Sequence, residues 1–440
     1  MRDIQLAVSI IKAFRERDCY MIELPSDLEV LYHSDLTFLD ELEQSFENGS
    51  YSIQPCRLIE VPKERGMFRY YSVLDIKDQL YFCWLTIKCF PFIIKKIKPE
   101  IASPQSVLEE YPVDINWKKK LFRNNLEELE YVYQSLKPEH QFVFQSDITN
   151  FYTSVDHKIL EKELIDCGVP ANYATSLCKA MSAWAALTGR GLPQIFWASD
   201  ILAEFYLFPF DNFLRHSNYS FARYIDNIEI FCHSKSDARK AYFEVVAFIS
   251  KRGMYLKEEK TKFVSAQPIK NALAGKKTFK DKVKSTIKEL PAGLSKYYYS
   301  IEEALGMVNC EERLLARPEA ITGYLMHYRN NEINIDKSLA SFLVSNRIEF
   351  SYQLYCALHF MIDYPAPIPK TISDSLHRIF NNLSQPLYVR CCAARLLLAE
   401  NKNNHSLIKG AMESSDDNLF KNEMRVILER ELPASRVFNP

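Results

Sequence analysis

Glycine is scarce, with eleven in 440 residues. A chain so poor in the residue that tolerates left-handed backbone has few tight turns to make, which favours helices over a many-stranded sheet. The eleven cysteines include no Cys-x-x-Cys pair. Their scatter fits neither a zinc site nor the disulfide frame of a small secreted domain, so buried thiols in a reducing compartment are expected. Long apolar runs are missing too. The longest, Leu80 to Ile94, is broken by Lys88 and is too short to span a bilayer. The N-terminal stretch MRDIQLAVSIIKAFRERDCY sets charges among its apolar positions. It therefore reads as an amphipathic helix rather than a secretion signal. The expectation is a soluble, cytoplasmic protein with no membrane partner. No charge sign prevails: 55 Lys and Arg face 56 Asp and Glu, for a net charge of −1. This removes any global pull towards a polyanion.

Local charge is less even. Lys118, Lys119, Lys120 and Arg123 cluster, and residues 270–288 carry seven lysines against the single acid Asp281. A groove needs local positive potential and not a basic total, so nucleic acid is still admissible, while a solvated lysine-rich face explains either cluster equally well. At 440 residues the chain has room for two or three domains.

The pattern along the chain changes three times. Residues 1–50 read as polar-faced helices. From Tyr51, short β-prone runs surround Gly66 and suggest a hairpin, and Asp78 to Ile97 reads as a buried helix. The residues 99–112 look like a connector, and Asn124 to Leu136 an acidic helix. Phe142-Val-Phe then reads as a core strand ending at Asp147, followed by helices from His157, over Ala171–Leu187 and over Trp197–Leu214. Apolar residues in Ser220-FARYIDNIEIFC-His233 flank a turn-like centre, a hairpin carrying Asp226 and Asn227 at its tip. A helix over Lys235–Lys251 and the stretch Gly253-MYLKEEKTKFV close this region. Strand, helices, hairpin, helix and strand in that order imply an α+β sheet with helices on one face. Beyond about residue 290 the sequence is helical. Leu354, Ala357, Leu358, Met361 and Ile362 share their spacing with Val389, Cys392, Ala393, Leu396 and Leu397, which suggests stacked HEAT-like helical repeats.

Five of these stretches, read together from about Ile59 to Val264, resemble the reverse transcriptase family. Lys63-Glu-Arg-Gly66-Met-Phe-Arg69 fits the fingers pattern, Asp147-ITNFY the first catalytic motif and Gly191-Leu-Pro-Gln194 the second. Tyr224-Ile-Asp226-Asn227 fits the third, and Leu256-Lys-Glu-Glu-Lys260-Thr261 the fourth. Any one alone is a weak match; five in order are a strong one. Within the family the chain is most similar to bacterial abortive-infection and phage-defence reverse transcriptases, which likewise follow fingers and palm with a helical-repeat region. The implied architecture is a right-hand polymerase, fingers and palm over 51–290, preceded by a helical extension over 1–50. An all-α repeat domain over 291–440 stands in for a thumb.

The resemblance implies RNA-directed DNA polymerase chemistry in antiviral defence. Two Mg²⁺ ions (or Mn²⁺) are expected at Asp147, the Ile148 main-chain carbonyl and Asp226, since a hard cation takes oxygen ligands. Helix capping is the bland alternative for Asp147. Lys63 and Arg69 are expected on the triphosphate of the incoming dNTP, Tyr152 under its sugar as a block to ribose, and Gln194 on the nascent base pair. A buried core aromatic and an exposed charged hairpin are the plain alternatives for Tyr152 and for the two cations. Lys260 is either an acid for the departing pyrophosphate or a solvated lysine.

Asn227 departs from the second Asp of most relatives and lowers the site's charge, although polymerases of negative-strand RNA viruses are similar in carrying Asp-Asn there. It leaves open a weak or inactive scaffold that partners a second reverse transcriptase, a further copy of this chain, or a non-coding RNA. Ile195-Phe196-Trp197 is large where relatives have small residues after Gln194. A chance filling of the core would explain it. The sharper reading is a narrowed or blocked template path, which fits untemplated or protein-guided synthesis in place of RNA or DNA copying, and the resemblance to abortive-infection members adds priming on a protein hydroxyl.

Overall fold

The computed structural model of the chain describes residues 2–17, 24–62, 68–96, 136–185, 189–270, 370–401 and 403–429, with 354–355, 358–359 and 361–362. Two compact units are formed, each from separate stretches of chain. The first takes Met1–Ala13, Asn48–Cys56 and Lys77–Pro291, and the second Phe14–Glu47, Arg57–Ile76 and Ala292–Pro440. In chain order the described elements begin with α1 (Asp3–Arg17), α2 (Pro25–His33), α3 (Leu36–Glu47), β1 (Arg57–Pro62), β2 (Phe68–Val73) and α4 (Ile76–Lys96). There follow β3 (Phe142–Asp147), α5 (Phe151–Ser154), α6 (His157–Asp166), α7 (Ala171–Trp184), α8 (Trp197–His216), β4 (Ser220–Tyr224), β5 (Asn227–Cys232), α9 (Lys235–Ser250) and β6 (Lys262–Ser265). Last come α10 (Lys370–Asn381), α11 (Leu387–Glu400), α12 (Asn404–Ser414) and α13 (Asn418–Glu429).

The first unit is built on an antiparallel sheet of order β4-β5-β3-β6. Aromatic and β-branched residues, Phe142-Val-Phe in β3 and Ile228 and Ile230 in β5, supply the strand preference. Period-2 alternation then sorts the sheet into two faces. Phe144, Ile228 and Ile230 are fully buried on one face, where the Phe144 ring meets Tyr242 of α9 edge-on at 5.9 Å. The other face reads, in paired steps along β3 and β5, Val143 with Phe231, Gln145 with Glu229, and Asp147 with Asn227. It thus passes from apolar to polar to acidic towards one end, and the chemistry sits there.

Helix α4 is apolar nearly all round and is buried, with Leu80, Phe82, Trp84, Leu85, Cys89 and Ile93 in the core. Its one interior cation is accounted for: Lys88 reaches Asp3 at 2.7 Å and lies 4.9 Å from the Trp84 ring centre. No described helix is long and apolar enough to cross a membrane. The eight described cysteines are all free, and burial pushes the Cys232 thiol up to about 11.

In the second unit β1 and β2 pair antiparallel from Arg57 with Val73 to Pro62 with Phe68, which is the hairpin expected around Gly66; the turn itself lies outside the described residues. Helices α2 and α13 are joined where the Ser26 N–H and hydroxyl donate to the Glu423 carboxylate at 2.9 and 2.7 Å. Burial raises the Glu423 carboxyl pKa, and the Ser26 bonds pull it back. Leu354, Leu358 and Met361 are buried, as are Val389, Cys392, Ala393, Leu396 and Leu397 of α11. Ala357 lies outside the described residues, as do the connector at 99–112, the residues 118–123 and all but Lys270 of the 270–288 lysine cluster.

Candidate active site

Asp147 is the last residue of β3 and stands opposite Asn227, the first of β5. Directly opposed residues of an antiparallel pair share a face, so these two side chains project together. Tyr224 and Asn227 close a hairpin whose loop is only Ile225 and Asp226. The Asp226 carbonyl accepts the Ile148 N–H at 3.0 Å, which ties the tip to the end of β3. The end of β3 and the hairpin tip therefore lie side by side, with Asp147 on the strand and Asp226 in the adjoining loop. Asp147 is buried, Asp226 half-buried and Asn227 exposed.

The tip is held in an unfavourable conformation. Ile225 has φ of 52°, and a β-branched side chain in left-handed backbone costs about 1–3 kcal/mol. Such strain persists only where surrounding contacts impose it. Asn150 and Ile195, also beside the site in sequence, have φ of 48° and 68°.

The stretch after α9 forms the third wall. Ile148 bridges Leu256, the Thr149 N–H donates to the Tyr255 carbonyl at 2.8 Å, and the Lys257 N–H to the Asp147 carbonyl at 2.7 Å. A short 3₁₀ turn, Glu258–Lys260, then brings the Lys260 ammonium to 2.6 Å from Asp147 Oδ2. Asp147 thus caps no helix: its carboxylate meets a cation. The lysine side chain is about half exposed (52%), and an ion pair in that setting is weak enough for another cation to displace it.

Tyr152 lies on α5, and its hydroxyl donates to Asp200 Oδ1 at 2.8 Å. Burial above all, then the negative charges of Asp200, Glu204 and Asp226, hold its phenol pKa well above the usual value. Tyr152 is therefore protonated, and Asp226 is close enough to act on it. The bond to Asp200 is an anchor for the ring that the sequence did not announce.

That anchor belongs to a pattern. Asp200, Glu204 and Asp211 lie on α8 at i, i+4 and i+11, which places them within about 40° of one another on the helix surface. Two of them grip the cation before the hairpin. Arg223 donates from Nε and Nη2 to both Asp211 oxygens at 2.7 Å and from Nη2 to Glu204 at 2.8 Å. From Nη1 it also donates to the Ile225 carbonyl at 2.8 Å. Burial raises the Asp211 pKa and the arginine opposes that shift. An acid stripe in an otherwise buried apolar helix, together with an arginine one residue before the hairpin motif, was the available sequence signal for this network.

Gly191 locks the next segment. Its N–H donates to Val155 O at 2.8 Å, the Leu192 N–H to Tyr152 O at 2.7 Å, and its own carbonyl accepts the His157 Nε2–H at 2.7 Å. His157 also shares a hydrogen bond with Ser182 at 2.8 Å, and burial lowers its pKa, keeping it neutral. Gln194 follows, half-buried, on the loop into α8.

Of the two readings open for the bulky run after Gln194, core filling describes Phe196 and Trp197. Phe196 and Trp197 are buried, with ring centres 6.4 Å from Phe82 and 6.1 Å from Phe90 of α4. Their volume fills the core between α8 and α4. Only Ile195 is left half-exposed. Lys63 lies outside the described residues, and Arg69 is a β2 residue paired with Val61.

The side chains carried by these strand ends and the loop between them offer oxygen, from two carboxylates and the Asn227 amide, which suits a hard divalent cation. Among the described residues no group of three or more His, Cys, Asp or Glu side chains is gathered as for a self-sufficient metal site. The residues present fit a hard divalent cation that takes its remaining oxygen ligands from elsewhere.

Residues 61–285, half of the chain, match the family model described as reverse transcriptase (RNA-dependent DNA polymerase). No curated protein matches the chain. Among solved structures, apo telomerase from Candida tropicalis truncated from its C-terminal domain has 14% identity and a TM-score of 0.33, over 52% of this chain and 55% of that one. The untruncated C. tropicalis telomerase has 12% identity and a TM-score of 0.35, over 89% and 74%. Telomerase from Candida albicans, in complex with a fragment of telomeric RNA, has 11% identity and a TM-score of 0.34, over 89% and 71%. This chain thus spans little more than half of the truncated telomerase, and scores this low carry no argument about activity or partners.

Proposed function

Because the chain belongs to the reverse transcriptase (RNA-dependent DNA polymerase) family, we propose that it is an active member which extends DNA by transfer of deoxynucleotides. The observation that carries this is the backbone bond from the Ile148 N–H, next to Asp147, to the Asp226 carbonyl in the adjoining hairpin loop, with Tyr152 near enough to feel the Asp226 charge. Asp147, Asp226 and the Ile148 carbonyl would hold Mg²⁺, with the Asn227 amide available as a weaker oxygen donor. When bound, the ions lower the pKa of the attacking hydroxyl and neutralise the leaving pyrophosphate. The chain's own groups supply the rest. Tyr152 presents its ring where a ribose 2′-hydroxyl would stand, Gln194 meets the base pair and Lys260 donates a proton to the leaving group, while the family pattern assigns Lys63 and Arg69 to the triphosphate.

Burial of Phe196 and Trp197 removes the main reason for untemplated synthesis, so the reading is a template-directed enzyme. Resemblance to abortive-infection members supports a role against phage in the bacterial cytoplasm, with HEAT-like repeats after about residue 290 serving a non-coding RNA or protein partner. The assay is incorporation of labelled dNTPs by purified protein with Mg²⁺, with and without its co-purifying RNA. Loss on Asp147→Ala and on Asp226→Ala supports the reading, and incorporation indifferent to both defeats it. A phage-plating comparison of wild type with Asp147→Ala tests the defence role.

Asn227 favours a second reading, a polymerase-like scaffold, since it stands opposite Asp147 where a third carboxylate would complete the site. Incorporation by the wild type alone, with no second polymerase present, rules that reading out.

A further inference from the structure

The hairpin that carries Asp226 is pinned from two directions. Each of its two loop residues has its carbonyl held by a group outside the hairpin loop: Asp226 O by the Ile148 N–H at 3.0 Å, Ile225 O by Arg223 Nη1 at 2.8 Å. The first bond is ordinary strand-edge pairing. The second needs a long, buried cation, and the fold goes to some length to provide it. Arg223 stands opposite Ile228, so its side chain leaves the sheet on the helix-covered face, away from Asp147 and Asn227. Its side chain is 1% exposed, and the bonds to Asp211 and Glu204 use its fork in one fixed orientation. With the guanidinium so held, the remaining edge points at a single acceptor, the Ile225 carbonyl. Ile225 is also the residue whose positive φ a β-branched side chain resists.

Resting on the polymerase reading, the geometry points to Arg223 as a positioning residue. Clamped by Asp211 and Glu204 of α8, it holds Ile225 in left-handed backbone and so sets where the Asp226 carboxylate stands relative to Asp147. It touches neither substrate nor metal. The same helix fixes Tyr152 through Asp200, so α8 is a common ruler for the hairpin tip and for the ring beside it.

Lysine at 223 keeps the buried positive charge but cannot form the fork and reach the Ile225 carbonyl together. Misplacement of a catalytic group by about 1 Å costs on the order of 100-fold in rate. Arg223→Lys should therefore lower kcat about 10- to 100-fold with little change in KM for dNTP, and should raise the Mg²⁺ concentration needed for half-maximal rate. Glycine accepts φ of 52° without strain. Arg223→Lys combined with Ile225→Gly should consequently recover at least about fivefold in kcat over Arg223→Lys alone. A merely structural arginine predicts no such recovery, because a second lesion would add to the first.

Glu204→Gln, which keeps the shape of the clamp, should show the same effects at roughly 3- to 10-fold, and it serves if Arg223→Lys fails to give a folded protein by circular dichroism. Mn²⁺ binding to nucleotide-free protein, followed by electron paramagnetic resonance, gives a readout separate from turnover. Weaker Mn²⁺ binding in Arg223→Lys supports the clamp even if the wild type incorporates no dNTP, an outcome that would defeat the polymerase reading alone. Wild-type kcat, Mg²⁺ dependence and Mn²⁺ binding in folded Arg223→Lys would overturn the inference, as would a double variant no better than the single one.

Discussion

Gly191→Ala would load the joint between α5 and the loop that leads to Gln194. A Cβ there would stand 2.8 Å from Thr153 Cα, 3.0 Å from Tyr152 O and 3.2 Å from Thr153 C. All three are backbone atoms, which cannot rotate aside like the end of a side chain. Ordinary contact begins at about 3.4 Å, so loop and helix must part by roughly half an ångström. The backbone adds its own penalty, because φ of 108° lies where L side chains are rarely found. Overpacking costs about 1–3 kcal/mol and the disfavoured conformation about 1–3 more, for roughly 2–6 in total. In a domain of 150–250 residues each 1 kcal/mol moves Tm by about 2–4 °C, so a drop of roughly 5–20 °C is expected.

The functional consequence follows from what the joint holds. Relief of the clash stretches the Leu192 N–H bond to the Tyr152 carbonyl, now 2.7 Å, and the Tyr152 ring moves with its backbone. Discrimination between dNTP and rNTP should fall along with stability. Thermal melting and a comparison of the two kcat/KM values measure both effects. An alanine variant that melts with the wild type and keeps its sugar preference would refute the argument at its base, since neither the contact nor the conformation could then be as described.

Lys260→Ala frees the Asp147 carboxylate of its 2.6 Å cation. It should tighten Mg²⁺ binding while lowering kcat on the order of 100-fold if the lysine is the proton donor; isothermal titration and the pH–rate profile check the two halves. Asn227→Asp places like charges on directly opposed positions. Without metal it should lose about 0.2–1 kcal/mol, and added Mg²⁺ should raise its melting point more than the wild type's. His157 is held neutral by burial, so its pKa lies below the value of the unfolded chain. The stability it contributes is complete above about pH 6.5 and is lost as pH falls from there through the lower folded-state value. The melting point of the wild type should therefore drop faster than that of His157→Gln across this window.

The fold was legible where local pattern and burial agree. Phe142-Val-Phe, the hairpin around Asp226 and the helices after His157 and Trp197 could be read because one-residue alternation or helical spacing matched a single face of burial. The placing of Asp147 and the Asp226 hairpin on neighbouring strands was legible through the ordered motifs. What escaped was whatever depends on direction in space. Nothing in Ile195-Phe196-Trp197 reveals that the second and third side chains turn towards α4, because the same apolar bulk would suit a blocked groove. Lys260 as the immediate partner of Asp147 was hidden in the same way, since a separation of 113 residues closes only when β6 lies beside β3. The acids of α8 were visible as residues but not as a stripe with a purpose. Their sense comes from Arg223, whose side faces them only because of its register opposite Ile228.

Charge at the catalytic edge ties these pieces together. Asp147 and Asp226 contribute two negative charges and Lys260 one positive, so the bare site carries a net charge near −1. An aspartate in place of Asn227 would make it −2. Two divalent cations need four negative charges, and this site supplies at most two even after Lys260 swings away. The deficit of two is more than covered by the three phosphates of a nucleoside triphosphate. Metal and nucleotide should accordingly enter as a unit, with Mg²⁺ alone bound weakly and Mg²⁺ with dNTP bound far more tightly. Titration of Mn²⁺ with and without a non-hydrolysable dNTP analogue measures that coupling directly. The asparagine then counts less as a sign of a dead site than as a shift of the metal's dependence from protein to substrate. Equal Mn²⁺ affinity in the two titrations would show that the site charges itself by some other means and would remove this account of Asn227.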